Sequence, residues 1–221
     1  MRLKTDNNTN SNKQELMDND RKRAILKEMY RIHAATISDL DLACKIKCAD
    51  CCTRNVTMTT LEGLEIDQNL SHEKRDDFYR SLASKADHRR FHPTITVNGM
   101  ADKCAKGETL PEEHLDPDWG RCPLLIENQC SVYEFRPFEC RSFVSTRNCR
   151  ESGYADMSPL TININNLFRQ YIEHIDADAF SGNLTDVLLH LQDQKSTSLI
   201  ANRAVSVLMV EPEYQAQLDP I

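Results

Sequence analysis

Four of the nine cysteines in this chain lie within nine residues, at Cys44, Cys48, Cys51 and Cys52. A disulfide framework or a packed core rarely needs sulfurs at this density, whereas thiolate metal sites do. A segment whose thiols must all meet one ion is held by that ion more than by its own backbone preferences. The sequence therefore predicts metal binding.

The compartment supports this interpretation. Residues 1–23 contain no apolar segment of the kind found in secretory signals, and no run of apolar residues is long enough to cross a membrane. We therefore expect a cytoplasmic protein with no membrane contact. Thiols stay reduced in that compartment, which favours metal or redox chemistry over a disulfide framework.

Size and charge narrow the function further. A chain of 221 residues with 40% hydrophobic content can bury a core of its own, so a metal is not needed merely to compensate for small size. The net charge of −7, from 27 basic and 34 acidic residues, argues against binding to nucleic acid through bulk electrostatics.

The first half of the chain has helical patterning. Polar, Asn-rich residues 1–19 predict a mobile tail, and residues 20–221 a single domain. Apolar residues at Ile25, Met29 and Ile32 predict a helix over about 20–42. Cys44, Cys48 and Cys51 continue its stepping and would share a face if the helix persisted, whereas Cys52 would point about 100° away from Cys51.

Capping signals predict the elements that follow. Thr59 and Glu62 fit a capping box that begins a helix extending to about Asn69. Ser71 is the predicted N-cap of another helix, which reaches about Arg90 before Pro93. Residues 94–97 have the composition of a short strand.

The centre of the chain is irregular and the end is helical. Glycines and prolines interrupt residues 99–137, and so long a segment without regular structure is uncommon unless it is functional or held by something. Apolar periodicity predicts helices over about 163–210. The expected fold is mainly α: a single small domain with an irregular, cysteine-rich metal-binding centre over 44–160, flanked by amphipathic helices.

Two further motifs connect the cysteines to a known family. Cys104 follows the first cluster, an RCPL motif contains Cys122, and a CxxYxxRPxxCRxF motif contains Cys130 and Cys140. This order resembles the YkgJ-type cysteine-cluster family, named for zinc or iron chelation, from Cys44 to about Leu160. The resemblance extends to a cysteine just after the last motif. It implies these metal ligands: Cys44, Cys48, Cys51, Cys52, Cys104, Cys122, Cys130, Cys140 and Cys149.

The resemblance also implies a cytoplasmic bacterial protein that binds iron or an iron-sulfur cluster. A similar cysteine domain occurs in flagellin lysine methylases, which implies a protein-modifying, methylase-like reaction as one use of the site. None of the six glycines forms the GxGxxG-like turn that would cradle a methyl donor. Whether this chain is an enzyme is left open.

The cysteine spacing bears on the choice of metal. Structural zinc sites favour paired CxxC knuckles, and only Cys48 and Cys51 have that spacing, which favours iron over zinc. Eight of the cysteines are enough for two four-thiolate sites or one larger cluster. The spacing from Cys44 to Cys51 also occurs in radical enzymes that use S-adenosylmethionine, but the repeated strand-helix units typical of those enzymes do not follow.

Polar residues around the last motif are candidates for support. The Arg136–Pro137 step predicts a break between two short helical pieces, with Cys140 near the positive end of the second, where a thiolate is stabilised. Tyr133, Arg136 and Arg141 are expected to donate hydrogen bonds to sulfur or to an incoming anion.

Histidines contribute less to the predicted site. His88 and His92 are expected to face solvent, and His114 lies in an acidic loop that we expect to be solvated, although its imidazole is a candidate ligand. The ligand set is therefore predicted to consist of sulfur.

The favoured function is iron or iron-sulfur binding, serving electron transfer or an enzyme that acts on a protein or small molecule. The alternatives are a noncatalytic structural zinc module for protein-protein interaction, and metal storage or delivery. The partner is an unknown protein or small molecule.

Overall fold

The computed structural model describes residues 7–192 and 198–209, with side chains given from residue 18 onward except residue 117. Of the residues that the structure describes, 47% are helical, which confirms the predicted mainly α class. The helices are α1 (Asn7–Thr36), α2 (Thr60–Asn69), α3 (His72–Ala83), α4 (Val97–Ala105), α5 (Phe138–Ser142), α6 (Cys149–Ser152), α7 (Pro159–Ile175) and α8 (Leu184–His190).

Five short strands complete the described part of the fold. Strands β1, β4 and β5 form an antiparallel sheet in the order β1-β4-β5, with Thr57 opposite Asn183 and Phe180 opposite Ala201. Strands β2 and β3 form a separate hairpin in which Leu125 lies opposite Cys130. The strands are β1 (Thr57–Thr59), β2 (Leu125–Ile126), β3 (Gln129–Cys130), β4 (Phe180–Asn183) and β5 (Ile200–Ala201).

Helix α1 differs from its prediction at both ends. It begins at Asn7, so residues 7–19 of the predicted tail are helical. The mobility of the tail stays a prediction, and its first six residues lie outside the described structure. It ends at Thr36, whose hydroxyl donates to the carbonyl of His33 at 2.7 Å. This bond satisfies a terminal carbonyl that has no partner within the helix.

The buried face of α1 is also rotated from the predicted stripe. Leu26, Tyr30 and His33 are buried, whereas Ile25 and Ile32 are exposed by 43% and 42%. Steps of four and three residues connect Leu26, Tyr30 and His33 as well as they connect Ile25, Met29 and Ile32. Periodicity alone therefore did not show which of these two faces is buried.

The capping box of α2 is confirmed. The Thr59 hydroxyl accepts from the backbone N–H of Glu62, while the Glu62 carboxylate accepts from the backbone N–H of Thr59 at 2.9 Å. Ser71 occupies the N-cap of α3, as predicted, but forms no side-chain cap bond. Helix α3 ends at Ala83, short of the predicted Arg90.

Two further assignments were wrong. The strand predicted over 94–97 does not form: residues 94–96 are irregular and Val97 is the first residue of α4, which the Thr96 hydroxyl caps by accepting from the N–H of Gly99 at 3.1 Å. The predicted helix after residue 199 is replaced by β5, which gains hydrogen bonds from β4 that local propensity does not report. Residue 210 lies outside the described part.

The core has two centres. In the first, α2, α3 and α8 pack with the β2–β3 hairpin around Ile66, Leu82, Val132 and Leu188. The second joins α1, α2, α5 and α7, and its buried members are Leu26, Tyr30, Leu61, Phe138 and Ile172. None of the described helices has both the length and the apolar content to cross a membrane.

Candidate metal centre

The first cysteine cluster lies in an irregular segment and not on a helix. Its turns are local, since the N–H of Cys48 donates to the carbonyl of Lys45 at 2.8 Å, and Lys47 has a left-handed φ of 72°. The N–H of Ala43 donates to the carbonyl of Ser145 at 2.9 Å and ties the segment to the chain beyond α5. The helical face predicted for the first three cysteines is therefore wrong.

Backbone pairing joins this segment to the RCPL motif. The N–H of Cys122 donates to the carbonyl of Cys52 at 2.9 Å, and Thr53 and Arg121 form an isolated antiparallel bridge. The N–H of Arg54 donates to the carbonyl of Gly120 at 3.0 Å. Two cysteine motifs about seventy residues apart are thus held side by side by main-chain bonds.

We call Cys51, Cys122, Cys130 and Cys140 the inner thiol group. Cys122, Cys130 and Cys140 are partly buried and pack against the first hydrophobic centre, whereas Cys51 is exposed. Burial raises the pKa of the Cys140 thiol well above its usual range, and negative charge at Cys122, Cys130 or Cys51 would raise it further. The Cys140 thiol is therefore within electrostatic range of each of the other three.

Two local structures present the inner thiols. Cys130 lies on β3, after a tight turn in which Glu127 and Asn128 have left-handed φ angles of 49° and 64°. Pro137 precedes α5, on which Cys140 is the third residue, and a 3-10 turn over Tyr133–Phe135 lies before it. The predicted break at Pro137 is confirmed.

The state of the inner thiols differs from the expectation. Cys140 was expected to be a stabilised thiolate near a helix end, but burial outweighs that effect and raises its pKa. Burial likewise raises the pKa of Cys122 to about 11. Protonated thiols at these positions require a cation to become thiolates, and a bound divalent metal supplies that charge.

We call Cys44, Cys48 and Cys149 the rim thiol group. Burial raises the pKa of Cys44, and charges at Cys48, Cys149 and Cys51 would add to the effect, so these side chains also lie close together. Cys149 begins α6, and the neighbouring Arg150 forms an ion pair with Asp50 at 2.9 Å. Each group has one exposed member, Cys48 in the rim group and Cys51 in the inner group.

Cys52 and Cys104 have different positions. Cys52 is hydrogen-bonded to the thiol of Cys51, an interaction that raises the pKa of Cys51 together with burial. Cys104 is exposed on α4, a helix that packs against α7, and none of the contacts that join the other eight cysteines includes it.

Of the predicted supporting residues, Arg136 has its charge within electrostatic range of the inner group. Arg136 stacks over the ring of Tyr133 at 3.8 Å. Burial raises the pKa of Cys130, and the positive charge of Arg136 offsets part of that rise. The Nε of Arg136 is buried and has no partner among the described residues. Arg141 instead stacks on Tyr30 at 4.3 Å and donates through Nε to the Arg136 carbonyl at 2.8 Å.

The histidines lie elsewhere. His92 contacts Asp186 at 3.2 Å, and His114 packs edge-on against Trp119 with ring centres 5.6 Å apart. In the described parts of the chain, no three or more His, Cys, Asp and Glu side chains are close enough to hold a metal ion. The donor chemistry of the two thiol groups fits zinc or iron, and ligation requires the sulfurs to move closer together.

Sequence reasoning missed the segment that closes the rim. The Ser145 carbonyl lies 4.0 Å from the Cys44 sulfur and the Arg147 carbonyl lies 4.0 Å from the Cys149 sulfur. In the sequence, the last motif ends just before this segment and is the only signal near it. No residue type marks these contacts, because they involve main-chain atoms that any residue provides.

A mainly α fold that gathers eight cysteines from four chain segments defines a cysteine-cluster metal-binding protein. The family model described as "CxxCxxCC: Putative zinc- or iron-chelating domain" matches residues 43–161, more than half of the chain. The protein belongs to this family. No curated protein and no solved structure matched the chain.

Proposed function

We propose that this protein binds iron, as an iron-sulfur cluster, through the inner thiol group. The observation that carries the proposal is the electrostatic proximity of Cys140 to Cys122, Cys130 and Cys51, which come from four different local structures. Four thiolates are the usual ligand set of such a cluster and of zinc. A bound cluster would supply one-electron redox chemistry.

The surroundings of the inner group support an iron-sulfur site. Packing of Cys122, Cys130 and Cys140 against the first hydrophobic centre limits the access of water. The unpartnered Nε of Arg136 is a donor that can bond to a cluster sulfur, and such hydrogen bonds adjust reduction potential. Electron transfer is the activity that this arrangement favours.

The rim group extends the same proposal. Cys44, Cys48 and Cys149 provide three further thiolates, and Cys51 is within electrostatic range of both groups. We infer that the rim either holds a second metal or contributes ligands to the inner one. The position of Cys51 between the groups makes it the ligand whose loss should disturb both.

The deciding experiment is anaerobic purification of the full chain, followed by a visible spectrum and by analysis of iron, sulfide and zinc. We expect broad absorption near roughly 400 nm, with iron and sulfide in comparable amounts, and bleaching on reduction. A colourless protein with stoichiometric zinc and no iron would contradict the iron-sulfur assignment.

Variants test the ligands. Cys140→Ser should lose most of the bound metal, while Cys104→Ser, a change of the same chemistry at an exposed position outside both thiol groups, should keep it. Comparing Cys51→Ser with Cys52→Ser separates the adjacent pair, and we expect the larger loss at Cys51. Equal metal content in Cys140→Ser and Cys104→Ser would exclude the inner group as the site.

A structural zinc site in the same group is the second candidate. The observation that favours it is the contact of three inner thiols with the hydrophobic centre, because a closed four-thiolate zinc site stabilises the fold around it. Zinc would then fix a surface for a partner. Resistance to reductant, together with unfolding on chelation, would support this candidate over the redox one.

A further inference from the structure

A cavity of about 90 Å³ lies away from both thiol groups, where β1, α4, α5 and α7 meet. A water molecule needs roughly 10–15 Å³ measured in this way, so the space is large enough for a small organic ligand. Its apolar wall is formed by Met58, Ile95, Val97, Phe138, Ile172 and Ile200.

Most polar groups around the cavity already serve the fold. The carboxylate of Glu62 accepts from the N–H groups of Thr59 and Phe138. Glu173 accepts from the N–H groups of Asn98 and Arg203, each at 2.8 Å. These buried carboxylates hold backbone N–H groups, two of them at helix starts, and leave no free oxygen for a ligand.

Arg169 and Glu139 are the exceptions. The Nε of Arg169 is buried and has no hydrogen-bond partner within the described residues, although the side chain lines the cavity. Its Nη2 lies 4.0 Å from Oε1 of Glu139, which is beyond hydrogen-bond distance. The other oxygen of Glu139 is occupied, since it accepts from the hydroxyl of Thr57 at 2.7 Å.

One cation and one carboxylate thus line a mostly apolar cavity as an ion pair that is too long for a hydrogen bond. A buried guanidinium N–H without a partner costs free energy that a ligand can recover. A carboxylate on the ligand would bond to Arg169, but the carboxylate of Glu139 beside it disfavours a ligand that is only an anion. A nearby ammonium would bond to Oε1 of Glu139 and offset that charge.

We propose that this cavity binds a small aliphatic α-amino acid as its zwitterion. The carboxylate accepts from Arg169, the ammonium donates to Glu139, and the side chain packs against Met58, Ile95 and Ile172. None of the described cysteines lines the cavity, but Glu139 precedes Cys140 in α5 and its negative charge adds to the raised pKa of that thiol, so metal content is measured beside ligand binding.

Matched probes test the charge requirement on the full-length protein as purified. L-Valine, isobutylamine and isovalerate share one branched chain and differ in carrying both charges, the cation alone or the anion alone. Methyl NMR signals of Met58, Ile95 and Ile172 report binding. We expect L-valine to bind at least about tenfold more tightly than either single-charge probe.

Two variants locate the ligand. Arg169→Met should weaken L-valine binding by about tenfold or more, and Glu139→Gln should remove most of the preference for L-valine over isovalerate. Arg203→Met is the matched control, because that side chain is 61% exposed and pairs with Asp102 outside the cavity. Metal content and melting temperature, measured on each variant, show whether a loss of binding reflects a loss of fold.

Several results would overturn the proposal. The first is that isovalerate or isobutylamine binds as tightly as L-valine. The second is that no probe shifts a methyl signal at about 10 mM, a concentration at which even weak ligands bind detectably. The third is that the Arg169 and Arg203 variants lose L-valine binding equally. If Arg169→Met does not fold, the probe series on the unaltered protein decides. A protein that binds L-valine but no metal would contradict the proposed metal site and would leave the amino-acid site supported.

Discussion

The backbone N–H of Cys122 donates to the carbonyl oxygen of Cys52 at 2.9 Å. This bond is the point at which the first cysteine cluster meets the second, and the adjacent Thr53–Arg121 bridge fixes the two segments in register. Main-chain pairing therefore holds the segments that contain the two thiol groups beside each other.

The two environments of the thiols predict different reactivity. In metal-free protein under native conditions, iodoacetamide should modify Cys48 and Cys104, which are exposed, at least about tenfold faster than Cys122 and Cys140, whose burial raises the thiol pKa. Pulse alkylation with mass spectrometry measures the rates. Denaturant should equalise them, and equal rates in the native state would contradict the described burial.

The capping box of α2 predicts a specific loss of stability. Thr59→Ala removes the side-chain acceptor for the N–H of Glu62 and should cost about 1 kcal/mol, with roughly 2 kcal/mol as an upper value. Ser71→Ala is the matched control, since Ser71 occupies the N-cap of α3 without making a side-chain cap bond. Urea unfolding gives both values, and a cost at Ser71 equal to that at Thr59 would refute the distinction.

Two arginine ion pairs should differ strongly in their contribution. Arg90 donates to both oxygens of Asp186, at 3.1 and 2.6 Å, and the Asp186 side chain is only 5% exposed. Arg90→Met would leave that carboxylate buried without its main partner and should cost about 3–5 kcal/mol.

Arg80 provides the comparison for that change. Its pair with Asp77 is 2.6 Å long, but both side chains are more than three-quarters exposed, so Arg80→Met should cost less than about 1 kcal/mol. Melting temperatures of the two variants, measured at one salt concentration, test the contrast. Similar costs would show that burial does not set the value of the Arg90 pair.

Asp176 predicts a pH dependence of stability. Burial raises its pKa from 3.8 to about 6, although its Oδ2 accepts from the Thr60 hydroxyl and from the N–H of Leu61. The folded state therefore binds the proton more tightly than the unfolded state does. This contribution favours folding fully below the unfolded pKa and is lost as pH rises through about 6.

Asp176→Asn should remove this contribution. The difference in free energy of unfolding, variant minus unaltered protein, should rise by an amount on the order of 3 kcal/mol between about pH 4 and about pH 7. Asp178→Asn is the control, because that side chain is 96% exposed. Parallel stability curves for the unaltered protein and Asp176→Asn would contradict the raised pKa.

The elements that were predicted correctly depend on short-range chemistry. The capping box at Thr59 and the break at Pro137 each involve residues within one or two turns of each other. The strand predicted over 94–97 was wrong because Thr96 begins a helix that packs against α7 from a distance in the sequence. The spacing of Cys44, Cys48 and Cys51 likewise fits a helical period, but these residues are not helical, because α1 ends at Thr36.

The candidate site divides in the same way. Sequence identified the cysteines and the family, because thiols in ordered motifs are specific to soft-metal chemistry, and the family match covers residues 43–161. It did not identify Ser145, whose carbonyl anchors Ala43, or Arg169, whose buried Nε has no hydrogen-bond partner among the described residues. Both act through position, and neither residue type is distinctive in its local sequence.

The sequence by itself determined the mainly α class, the family and the chemistry of the donors, because periodicity, caps and thiols are local properties of the chain. Only the tertiary structure decided which cysteines become neighbours. It separated an inner group near Cys140 from a rim group near Cys44 and left Cys104 apart on α4. That partition depends on contacts between segments up to about a hundred residues apart, whose cost in chain entropy is offset only when the whole core packs.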